Sequence, residues 1–134
     1  MNEVHRARVV FGDTDAMGIV YYGVYFRWFE IGRTELLRKS GIVYRDLNAM
    51  GIHLPVIEAG CRYLRPARYD DEVRIFTGMN QLAKARIGFE YRIESEAGVL
   101  TTGFTEHAFT DPSGRVIRPP GALRSKLQRV KDAL

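Results

Sequence analysis

Two aspartates stand two positions apart in the stretch FGDTDAMGIVYYG, where Asp13 and Asp15 share a loop with Thr14, Gly18 and Gly23 directly ahead of an apolar, helix-patterned segment. Carboxylates placed there meet the unpaired N–H groups and the positive dipole end of a helix, a combination able to polarise a carbonyl oxygen. One reading of the loop is conformational: Asp13, Thr14 and Asp15 bond the local backbone, as Asx turns do. The other is chemical: one carboxylate faces a cleft and acts on a carbonyl carbon whose oxygen faces the helix start. The residue types allow both.

Most other chemistries lack their residues. The chain carries no GxxxxGK phosphate loop, no GxGxxG, no GxSxG and no Cys/His set at metal-ligand spacing, so no metal is expected. Ser40, Ser95, Ser113 and Ser125 lie at element ends or turns with no histidine nearby in sequence, which leaves a serine triad without specific support. His5, His53 and His107 are isolated and read as surface or satisfied, half-buried residues. Cys61 reads as a small hydrophobe on a strand face.

The elements that must position the loop follow from periodicity. Residues 4–11 alternate, with His5, Ala7, Val9 and Phe11 on one face, as in a strand. Residues 22–40 place Tyr25, Trp28, Phe29, Gly32, Leu36 and Leu37 at helical spacing, with Arg38 and Lys39 in the last turn and Gly41 just beyond. Gly32 costs about 1 kcal/mol relative to Ala inside a helix and so marks a close approach, most simply of a sheet wrapped around the helix. Four strand-like runs follow at 54–64, 72–81, 85–95 and 99–110, and their short connections predict an antiparallel meander. Pro119 and Pro120 open a last helix bearing Leu123, Leu127 and Val130. The expected class is α+β: five antiparallel strands around one long helix, with a short carboxyl-terminal helix. Open sheet edges predict pairing with a second copy.

The chain's 134 residues include a single cysteine and 20 basic against 16 acidic side chains, a net charge of +4. That is one domain, residues 1–134, large enough to fold without disulfides. No apolar run approaches the ~20 residues of a membrane helix, and a cytoplasmic location is expected. An isoelectric point near 9.4 suggests a polyanionic partner, either nucleic acid or a phosphorylated small molecule.

Residues 9–41, VVFGDTDAMGIVYYGVYFRWFEIGRTELLRKSG, resemble the signature of the hot dog fold acyl-CoA thioesterases, in the branch of the 4-hydroxybenzoyl-CoA and Tol-Pal-associated enzymes. The matching positions are Phe11, Asp13, Thr14, Asp15, Gly18, Ile19, Val20, Tyr21, Tyr25, Glu30 and Arg33. The segment YLRPARYDDEV, residues 63–73, matches as well. The resemblance implies that Asp15 is the catalytic carboxylate and that the backbone N–H near Tyr22 polarises the thioester carbonyl. Tyr22 stands where the Tol-Pal-associated enzymes usually have histidine and Phe11 where they often have tyrosine, so both positions are closer to the 4-hydroxybenzoyl type.

The same resemblance implies an acyl channel at a subunit interface near Leu54, Pro55 and Val56, with Gly18 in the substrate loop. It also implies coenzyme A phosphate contacts from Lys84, Arg86 and Arg118, which would account for part of the basic excess. Coenzyme A is then part of the substrate and no separate cofactor is expected. The implied assembly is a homodimer or a tetramer of two dimers, with no nucleic acid partner. Hydrolysis of an acyl-CoA or acyl-carrier-protein thioester is therefore the leading expectation, and a non-catalytic acyl-CoA-binding module is the alternative. A hot dog dehydratase would pair a histidine with the carboxylate, and this loop has none.

Overall fold

The computed structural model describes all 134 residues. In chain order the elements are β1 (Asn2–Arg8), a 3-10 turn (Phe11–Asp13), α1 (Val24–Lys39), α2 (Tyr44–Ala49), β2 (Val56–Tyr63), β3 (Glu72–Leu82), β4 (Arg86–Ser95), β5 (Gly98–Ala108) and α3 (Gly121–Asp132). The strands form one sheet in the order β1-β3-β4-β5-β2, antiparallel throughout. The sheet packs around α1 in the hot dog arrangement that the resemblance implied.

The helix is fixed by its apolar face. Tyr25, Trp28, Phe29, Gly32, Leu36 and Leu37 are all buried, the six positions that helical spacing selects. Gly32 is needed for contact: a Cβ there would lie 2.3 Å from Thr77 Oγ1 and 2.9 Å from Ile75 Cγ2, so α1 sits directly on β3. Phe29 stacks on Tyr91 with ring centroids 4.4 Å apart, and a Cβ at Gly103 would fall 2.5 Å from its ring. The last helix buries Leu123, Leu127 and Val130 as expected.

Three local expectations are corrected. The alternating face expected for residues 4–11 breaks at a register shift between Glu3 and His5 in the pairing of β1 with β3. Val4 and Val9 are buried, whereas His5 is exposed and Phe11 leaves the strand for the 3-10 turn. The expected four-strand meander holds only for β3, β4 and β5; β2 lies at the far edge, paired with β5, because residues 64–71 run along the end of the sheet. The connecting stretch before β2 contains the short helix α2.

Register defines two ends of the sheet. Val56 faces His107, and Leu82 faces Ile87, at the end carrying the β3–β4 hairpin. Tyr63 faces Thr101 and Glu72 faces Arg8 at the other end, where Val9 and Val20 bond Asp71 and Ala67. The aspartate loop and the start of α1 lie at this second end.

At the hairpin end a polar chain runs through the core. His107 is fully buried; its Nδ1 lies 2.9 Å from the Leu54 carbonyl and its Nε2 2.8 Å from Thr105 Oγ1, itself 2.6 Å from the Tyr91 hydroxyl. A carbonyl only accepts, so Nδ1 carries the proton and Nε2 accepts from Thr105. Thr105 then accepts from Tyr91, and the direction of every bond is determined.

Candidate active site

The aspartate loop is built as a small hairpin. Thr14 bridges Val20, the Asp15 N–H donates to the Ile19 carbonyl at 2.9 Å, and Gly18 closes the turn at φ +77°, a conformation that favours glycine. The Met17 N–H donates to Asp15 Oδ1 at 2.8 Å in an Asx-type turn. The conformational and chemical readings of Asp15 therefore coexist: one carboxylate oxygen organises the loop, and Oδ2 accepts no hydrogen bond from the protein.

Asp13 is used differently. It is only 4% exposed, takes the Val10 N–H on Oδ2 at 3.0 Å and pairs through Oδ1 with Arg27 Nη2 at 2.6 Å. Both of its oxygens are thus occupied in tying the loop to α1. The neighbouring Tyr21 N–H donates to the Asp13 carbonyl at 2.9 Å, which sets the entry into the helix.

That entry leaves donors unspent. The Val24 N–H turns back to the Tyr21 carbonyl at 2.9 Å and the Phe26 N–H to the Gly23 carbonyl at 3.3 Å, while the N–H groups of Tyr22 and Gly23 bond no acceptor in the chain. Unpaired N–H groups and the helix dipole make this point electropositive.

Asp15 and Tyr22 line one cleft, of about 320 Å³. Tyr25, Tyr63, Leu64 and Pro66 give it apolar walls, and Arg65 stands at its rim with one guanidinium nitrogen donating to the Val99 carbonyl at 3.0 Å. Tyr63 packs edge-on against Tyr25 at 5.3 Å and Tyr22 at 6.5 Å, and its hydroxyl donates to the Tyr22 carbonyl at 2.9 Å. Burial, helped by neighbouring Cys61, Tyr25 and Tyr22, pushes the Tyr63 phenol up from its ordinary value, so it stays protonated as a donor. Sequence reasoning gave Tyr63 and Arg65 no role, although both lie in the family-like segment 63–73.

The other expected site residues are elsewhere in the chain. Gly18 shapes the loop without lining the cleft. Leu54 is buried, with its carbonyl held by His107 and, at 3.4 Å, by the Tyr44 hydroxyl, while Pro55 and Val56 are exposed beside it. Lys84 is exposed in the β3–β4 hairpin without an ion pair, Arg86 pairs with Glu106 at 3.1 Å, and Arg118 is exposed after β5. Together with Leu54, Pro55 and Val56 they mark the hairpin end, so within one chain they are separated from Asp15 by the length of the sheet.

The model of the thioesterase-like superfamily matches residues 9–127, spanning both the loop and every strand after β1. The chain belongs to this superfamily. It is an enzyme, a hydrolase, with a hot dog fold. Among similar proteins, the acyl-CoA thioester hydrolase YbgC of Escherichia coli O157:H7 is 33% identical over 93 residues, covering 69% of this chain and 69% of that one. The structure of protein TT1821 from Thermus thermophilus superposes with a TM-score of 0.92 at 32% identity, over 96% of this chain and 99% of that one. A DHNA-CoA thioesterase from Staphylococcus aureus superposes with a TM-score of 0.89 at 27% identity, over 96% and 89% of the two chains. No helix of this superfamily member is long and apolar enough to cross a membrane.

Proposed function

We propose that the protein hydrolyses acyl-CoA thioesters, with Asp15 as the reacting carboxylate and the Tyr22 N–H as an oxyanion donor. The observation that carries this reading is the meeting, in one apolar-walled cleft, of an Asp15 oxygen without a protein partner and a helix start with unspent N–H groups. A thioester carbonyl is more electrophilic than an ester's, and its thiol leaving group has a pKa near ~8.5, so no strong general acid is required. Asp15 acts in one of two ways. As nucleophile it attacks the carbonyl carbon, the C–S bond breaks to release thiolate, and water then cleaves the mixed anhydride. As general base it takes a proton from the water that attacks. In both, the helix-start donors stabilise the oxyanion, a contribution of about 3 to 4 kcal/mol per donor in comparable sites.

The hairpin-end residues enter through a second copy. β2 is an edge strand with Val56 and Ile57 exposed, and edge strands invite pairing. Antiparallel pairing of two β2 strands sets residue 56 of one copy near residue 63 of the other. That would bring the second copy's Leu54, Pro55 and Val56 to the Asp15 cleft as the acyl channel, and its Lys84 and Arg118 toward the coenzyme A phosphates. The reaction uses no cofactor beyond the coenzyme A of the substrate; a cytoplasmic setting belongs to the same proposal, and a homodimer or a tetramer of two dimers would complete the site.

The test is thiol release from a panel of aliphatic and aromatic acyl-CoAs. Turnover of at least one substrate is expected. Inertness across the panel overturns the reading, and tight acyl-CoA binding without release identifies a binding module instead.

A further inference from the structure

Tyr22 owes its fixed position to its two flanking peptides. Its N–H belongs to the peptide whose carbonyl, that of Tyr21, accepts the Val24 N–H at 2.9 Å. The next peptide, which carries the Gly23 N–H, is held from outside the helix, because the Tyr22 carbonyl accepts the Tyr63 hydroxyl at 2.9 Å. A planar trans peptide points its C=O and N–H in opposite directions, so anchoring each carbonyl aims the N–H of the same unit. Both aimed N–H groups lack acceptors in the chain. Tyr63 itself is held by edge-on packing against Tyr25, a residue buried in the core.

We propose that Tyr63 is a positioning residue for this site, its hydroxyl locking the Tyr22–Gly23 peptide so that the Gly23 N–H joins that of Tyr22 as a donor to the substrate oxyanion. The inference rests on the thioesterase reading above and adds to it a residue from β2, the strand at the sheet edge. The device is local: the phenol works through the Tyr22 carbonyl, on which its hydrogen is spent. Its removal loosens a peptide that must be rigid when charge develops on the substrate oxygen, a demand that is greater in the transition state than in the ground state.

The experiment compares wild type with Tyr63→Phe and Tyr63→Leu on the acyl-CoA that the wild type turns over fastest. Tyr63→Phe keeps the ring and its packing, so KM is expected to stay within about twofold and Tm to change little. The value of kcat falls about tenfold, less than the 10²–10³ lost when an oxyanion donor itself is removed. Tyr63→Leu, which also removes a cleft wall, raises KM as well. An unchanged kcat in Tyr63→Phe overturns the proposal while leaving the thioesterase reading intact, as does a loss of Tm with kcat retained, which is the mark of a merely structural bond. A wild type inert on every substrate overturns the thioesterase reading and this proposal with it.

Discussion

The two ends of the sheet use polar groups in opposite ways. Around His107 each ring nitrogen has a partner: the imidazole, Thr105, Tyr91 and the Leu54 carbonyl form a closed chain in the core. Around Asp15 the groups are held in place yet left incomplete, with one carboxylate oxygen and the N–H groups of Tyr22 and Gly23 unsatisfied beside a cleft. A satisfied buried network specifies and stabilises a fold, whereas positioned, unspent donors and acceptors are what a substrate can engage. The same contrast recurs inside the loop, where Asp13 gives both oxygens to structure and Asp15 gives one.

The contrast separates effects on stability from effects on rate. Among stability effects the largest is expected at His107, whose pKa burial lowers from 6.5 to about 4; the nearby Arg33 lowers it further and the Leu54 carbonyl opposes the shift. Above pH 6.5 the ring is neutral in both folded and unfolded chains and the burial is harmless. Between 6.5 and about 4 the unfolded chain binds a proton that the folded chain refuses, so stability falls as pH falls, by on the order of 3 kcal/mol over that window. Thermal melts from pH 7 down to pH ~4.5 should show this loss, and His107→Gln should flatten it. An equal slope in the variant would break the assignment of the sealed end.

A smaller effect is expected midway along the helix. Gly32→Ala drives a Cβ to 2.3 Å from Thr77 Oγ1, and the shift of α1 off β3 should cost roughly 2 kcal/mol, read as a lower Tm. Its consequence at the open end should be slight, because the start of α1 is anchored separately by Asp13, Arg27 and Tyr63. A large rate loss at unchanged Tm would mean that the two ends are not independent.

Much of this contrast could be read from the sequence, and the rest depends on which strands become neighbours. The buried face of α1 was legible because six positions repeat at helical spacing, and the mid-helix glycine correctly signalled a sheet in contact. Strand order was not: alternation tells which side chains share a face, but nothing local says that β2 crosses to pair with β5. The face expected to join His5, Ala7, Val9 and Phe11 fails because one register shift and one 3-10 turn end the alternation in β1, a feature that no local pattern announces.

At the site, the loop could be located from its Asp and Gly content ahead of a helix. The resemblance singles out Asp15 of the two aspartates, whereas the partners that occupy Asp13, Arg27 reaching back one helical turn and the Val10 N–H, emerge only from the folded loop. Tyr63 joins the cleft from a strand 41 residues further along the chain than Tyr22, a separation that no local pattern reports.

The central claim is that the free oxygen of Asp15 does the chemistry. Asp15→Asn keeps an acceptor for the Met17 N–H and replaces the free carboxylate oxygen with an uncharged NH2 group, so the loop should persist with Tm almost unchanged. The most direct measurement is kcat of this variant beside wild type on the best substrate of the acyl-CoA panel, with Tm recorded for both. A fall in kcat of about 10²–10³-fold at constant Tm is predicted; retention of the full rate by Asp15→Asn would contradict the account.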